Sequence, residues 1–221
     1  MQTDYPIDSK TIAVNKTLSQ TYKLLSATLL TTAIAAFLSI QISVSQGLAL
    51  GATLLAMLLG MFVLPRVANN SSGIGLVFLI SGLLGLSMGP MLTHYLSFSN
   101  GSEIVSTAFF GTAAIFLSLS YYAITSKRDF SFLSSFLMAG MIVVLLAVIA
   151  SLFLAMPLLN VAISAVVILL MTGYMLYETS EIVNRPETTN YVLATYSLYL
   201  AIFNMFTSIL HLLAAFGGER D

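Results

Sequence analysis

Cysteine is absent from the 221-residue chain, which rules out disulfides and thiol chemistry. Charge is nearly as scarce. Asp, Glu, Lys and Arg make up 8 % of the residues against 58 % hydrophobic ones, where a soluble domain carries about 25 % charge. That balance excludes an ordinary soluble globule. Catalytic signatures are missing as well: there is no HExxH metal motif, no aspartate inside an apolar run to form an aspartyl pair, and no serine that the sequence assigns to His94 or His211. An enzyme is therefore not expected, and neither is a cofactor, a metal site or a nucleic-acid partner.

What remains is apolar sequence in runs of roughly 20 residues, the length that crosses a hydrocarbon core about 30 Å thick. Seven runs are predicted as helices, over 22–44, 47–64, 73–96, 104–125, 132–155, 158–183 and 191–216. Turn-forming stretches such as NNSSG, SNGSE, SKRD and NRPETTN separate them. A membrane β-barrel would need strands that alternate apolar and polar residues, and MIVVLLAVIASLFLA does not alternate. The expected fold is all-α, a polytopic seven-transmembrane-helix bundle. About twenty polar residues precede the first run, unlike a signal peptide, so that helix is expected to be retained.

Lys and Arg set the expected orientation, because cytoplasmic loops retain them. Lys10, Lys16 and Lys23, then Arg66, then Lys127 and Arg128, then Arg185 all fall on one side, with Arg220 alone on the other. The amino terminus is thus expected in the cytoplasm and the carboxyl terminus outside. This divides the chain into a cytoplasmic tail (1–21), the transmembrane domain (22–216) and a short external tail (217–221).

Polar groups within the spans are few. Pro90 lies inside the third run, where it removes a backbone donor that a neighbouring helix or water must replace. Gly82, Gly85 and Gly89 suit close helix approach, and Pro65 and Pro157 suit helix ends. Tyr121, Tyr122 and Tyr191 fit interfacial anchors, and the scattered methionines fit core filler. His94 and His211 both fall toward the outer ends of their helices, as interfacial residues or a proton-responsive pair. Glu178 stands apart. A carboxylate in a span is expensive, and one that is retained usually faces a cavity, a partner or the bundle interior, although this one is also close enough to the helix end to reach water. Met171, Tyr174, Glu181, Ile182 and Arg185 share its side of the helix, and Glu181 with Arg185 makes a favourable i,i+4 pair.

GLSMGPMLTHYL followed by STAFFGTAAIF resembles the paired helix-three and helix-four signature of the Bax inhibitor family. KRDFSFLSSFLMAGMIVVLL, LYETSEI and YSLYLAIFNMF extend the resemblance over nearly the whole chain. The similarity is strongest to its bacterial inner-membrane branch, which implies a non-catalytic modulator of the membrane-anchored ATP-dependent protease FtsH, embedded in the lipid bilayer. The tail residues Asp4, Asp8, Lys10 and Lys16 are then the candidate partner-binding segment. The family also contains cation leak proteins gated by two acids, which implies the alternative of a pH-responsive calcium or proton leak. Glu178 matches the first acidic position, but Ala201 occupies the second, so the shared-proton pair that makes such a sensor is missing. Arg66 matches the family's basic latch. Arg66, Arg185 and Asn204, the last lying one turn beyond Ala201, are the expected partners of Glu178.

Overall fold

The computed structural model describes residues 9–154 and 156–217. Seven helices follow one another: α1 (Ser9–Gln41), α2 (Gln46–Val67), α3 (Ser71–Leu96), α4 (Gly101–Ser126), α5 (Leu133–Leu154), α6 (Pro157–Asn184) and α7 (Tyr191–Gly217). Each is long and apolar enough to cross a membrane, and no strand occurs among the described residues. One end of the bundle, where α1 starts and α2, α4 and α6 finish, carries Lys16, Arg66, Lys127, Arg128 and Arg185. The opposite end carries no Lys or Arg among the described residues.

Helix ends follow local chemistry. The Ser45 side chain accepts a hydrogen bond from the Leu48 N–H and caps α2. Pro157 opens α6, where its missing N–H costs nothing and its φ is already helical. The Asn190 side chain accepts from the N–H groups of Val192 and Leu193, and its amide donates to the Ala68 backbone carbonyl and to the Asn69 side-chain oxygen, tying the start of α7 to the α2–α3 turn. Most helix boundaries fall within about three residues of the sequence expectation, and two differences bear on the packing. α1 begins at Ser9, so residues 9–21 continue the first helix, with Thr17 and Thr21 buried against the bundle. Pro65 lies inside the last turns of α2 rather than at its end, because a single π-type turn over Leu59–Val63 precedes it, in which the Leu64 N–H reaches back to Leu59.

Small residues govern the crossing of α1 and α3. A methyl group on Gly85 would lie 2.5 Å from the Thr32 carbonyl oxygen, and one on Gly89 would overlap the Ser39 hydroxyl. Both glycines are therefore required for the approach, while Gly82 has only a distant neighbour in Thr31. α7 lies at the centre, packed on α1, α4 and α6, and Leu198, Tyr199, Met205 and Leu210 along it are fully buried. α5 packs mainly on α6, and the side chains of Phe136, Ile142, Val143 and Phe153 face outward, as expected for a helix bathed in lipid.

Candidate functional site

Glu178 lies six residues before the end of α6, about 9 Å from that end by helical rise. It is half-buried, flanked one turn away by Met175 and Ile182, both fully buried in the main apolar core. Among the described residues its carboxylate has no hydrogen-bond or ion-pair partner. The three expected partners are engaged elsewhere. The Arg66 guanidinium donates to the Phe62 carbonyl within its own helix, and the exposed Asn204 amide donates to the Leu200 carbonyl at 2.8 Å. Arg185 donates to Glu181 and, at 3.3 Å, to Asp129. Ala201, at the position of the second acid, is buried in the same core cluster as Met175 and Ile182.

The end of α6 instead clamps the short α4–α5 turn. Ser180 Oγ accepts from the Phe130 N–H and donates to the Arg128 carbonyl, both at 3.0 Å. Asn184 Nδ2 donates to the same carbonyl at 3.1 Å. Asp129 Oδ1 accepts from the Ser131 N–H at 2.8 Å, and its other oxygen takes the contact from Arg185. The bond from the Ser131 N–H, helped by the Ser131 side chain and by the Arg185 charge, holds the Asp129 carboxyl below its ordinary range. In turn the hydrogen bond to Glu181, ahead of the charges of Glu181 and Asp129, raises the Arg185 guanidinium. Lys127 enters the turn with φ 51°, the left-handed region that a lysine rarely adopts, and the clamp offsets that cost. Glu181 and Arg185 were expected as a pair on one helix. Ser180, Asn184 and Asp129 were not singled out, although Asp129 two residues before Ser131 is a recognisable Asx-turn pattern.

Above this level the interior holds further polar contacts. Thr195 Oγ1 donates to the Tyr191 carbonyl at 2.7 Å and approaches the Thr21 carbonyl of α1 at 3.2 Å. The hydroxyls of Thr21, Tyr22, Ser120 and Thr179 are buried without a partner among the described residues. Deeper, Tyr199 OH lies 2.8 Å from Thr32 Oγ1, which also reaches the carbonyls of Thr28 and Ser81 and so links α1, α3 and α7.

The two histidines have different partners. His94 lies against the rings of Tyr95 and Phe98. His211 Nδ1 is 3.1 Å from Ser164 Oγ, so a serine partner exists where the sequence indicated none. Ser164 Oγ also reaches the Asn160 carbonyl one turn back, at 3.0 Å. No group of three or more His, Asp or Glu side chains among the described residues could hold a metal ion. Of the candidate tail residues, Lys16 is exposed on the first turns of α1, whereas Asp4, Asp8 and the Lys10 side chain lie outside the described residues, as do residues 218–221.

Seven helices, each long and apolar enough to cross a membrane, define a polytopic membrane protein, and one of its spans carries Glu178, a carboxylate with no partner among the described residues. The chain belongs to the family described as "Inhibitor of apoptosis-promoting Bax1", whose model matches residues 14–218. It is 43 % identical over 203 residues to "Modulator of FtsH protease YccA" of Escherichia coli K12, covering 91 % of each chain. The same identity holds for "Inner membrane protein YccA" of Escherichia coli O6:H1. A membrane protein of Vibrio cholerae is 45 % identical over 204 residues, 92 % of this chain and 91 % of the relative.

Proposed function

We propose that this chain is a non-catalytic, multi-pass inner-membrane modulator of an FtsH-type ATP-dependent protease. The observation that carries the reading is the 43 % identity, over 91 % of both chains, to a relative named for that modulation. One feature of the sequence supports it: Ala201 stands at the position of the second acid, so Glu178 lacks the carboxylate partner of a shared-proton gate. The amino terminus lies in the cytoplasm in this reading, and residues 1–21, including Asp4, Asp8, Lys10 and Lys16, are the segment offered to the protease.

The calcium or proton leak is the second reading, favoured by one observation: Glu178 sits half-buried in a span with no fixed partner. A paired experiment separates the two. Ion flux is measured in liposomes near pH 6 and pH 8, and turnover of a membrane substrate is measured in cells, for wild type, Glu178→Gln and a deletion of residues 4–16. The modulator reading expects flux near background for all three and altered turnover for the deletion. A wild-type flux that Glu178→Gln abolishes, with turnover unchanged, overturns it.

A further inference from the structure

We propose that the α4–α5 turn is a binding site for the headgroup of one anionic phospholipid. It lies where α4 ends at Ser126 and α5 starts at Leu133, the level at which two consecutive spans leave the apolar layer. Lys127 and Arg128 are both exposed there, and neither forms an ion pair among the described residues. The one acid in the turn, Asp129, is occupied by Arg185 and the Ser131 N–H. Two positive charges therefore remain uncompensated, and their natural complement at this depth is a phosphate diester.

The turn is also held in one shape. Ser180 and Asn184 fix the backbone at Arg128 and Phe130 by three hydrogen bonds at 3.0–3.1 Å. A cation on a pinned turn loses less conformational freedom on binding than one on a mobile loop. Aromatic rings flank the charges: Phe130 stands 6.0 Å from Tyr122 and 6.2 Å from Phe132, centre to centre, and Tyr121 and Phe132 are each 72 % exposed. Tyrosine and phenylalanine at this depth form a seat for the glycerol and upper acyl region. Cations in the turn, with Tyr121 and Tyr122 back along the end of α4 toward the span, match the layering of a phospholipid.

The test uses the full-length protein in nanodiscs, with phosphatidylglycerol and phosphatidylcholine as probes and lipid retention read by native mass spectrometry. Lys127→Asn and Arg128→Gln, singly, should each weaken phosphatidylglycerol retention about fivefold and leave phosphatidylcholine unaffected; asparagine tolerates the left-handed backbone at 127. Ser180→Ala keeps both charges but frees the turn, and should also weaken retention. Raising salt toward 1 M should release phosphatidylglycerol from the unaltered protein by screening, a readout independent of any variant's folding. Unchanged retention in both charge variants overturns the site. So does an equal loss of both lipids.

Discussion

Ser39 Oγ donates a hydrogen bond of 2.6 Å to the carbonyl of Leu86, the acceptor left open because Pro90, four residues on, has no N–H. The bond crosses from α1 to α3, and it fits because residue 89 is glycine. Proline, glycine and serine thus act together: one creates the orphan carbonyl, one opens the approach and one fills the vacancy.

Ser39→Ala should cost about 1 kcal/mol by leaving that carbonyl unsatisfied. In a Pro90→Ala background the restored N–H competes for Leu86, so the cost of Ser39→Ala should largely vanish. A double-mutant cycle of unfolding free energies in detergent checks this coupling. Additive effects would mean that the serine is not replacing the proline's missing donor.

Gly85→Ala should destabilise more than Ser39→Ala, by about 1–3 kcal/mol. Its new methyl meets the Thr32 backbone at 2.5 Å rather than the end of a flexible side chain. Gly82→Ala, with its nearest neighbour at 4.0 Å, should be close to neutral, and thermal melts of the two variants give the comparison directly.

Tyr199→Phe removes the hydroxyl that meets Thr32 but leaves Thr32 its carbonyl acceptors. The loss should be small, on the order of 1 kcal/mol or less. Tyr199→Ala empties the largest fully buried position in the bundle and should cost about 3–5 kcal/mol. A large effect of the phenylalanine variant would show that the hydroxyl, not the ring, organises the three helices.

The clamp at the end of α6 should loosen in acid. The Asp129 carboxyl is held below its ordinary range in the folded chain, so its contribution is present above the unfolded carboxylate pKa, about 4, and is lost as the pH falls through the lower folded value. Amide exchange at Ser131, whose N–H donates to Asp129, should quicken relative to neighbouring amides below about pH 4. Asp129→Asn should remove that pH dependence. Because the carboxylate is exposed, the effect should be local and global stability should barely change.

Reporter fusions after Lys127 should read cytoplasmic and fusions after Phe216 external, as the one-sided placement of Lys and Arg requires. A cytoplasmic reading at both positions would contradict the expected orientation.

The sequence by itself determined the number and type of elements. Seven runs near 20 apolar residues leave an unpaired backbone no option in lipid but the helix, and the structure has those seven helices. It also determined that Glu178 would be conspicuous, since a carboxylate in a span is costly at any register. It misjudged that residue's company. Arg66, Asn204 and Arg185 were legible as polar groups near the right level, but each satisfies itself within its own helix or on the α4–α5 turn. Periodicity gives a residue's position along and around one helix, whereas a hydrogen bond depends on the rotation and approach of two. The same limit hid Ser180, Asn184 and the Thr32–Tyr199 contact, whose partners lie 50 to 167 residues away in the chain. Only the tertiary packing decided these: at the α1–α3 crossing Gly85 and Gly89 set how close two backbones come and so which polar side chains meet there, and at the other contact the end of α6 had to lie against the α4–α5 turn before Ser180 and Asn184 could reach Arg128 and Phe130.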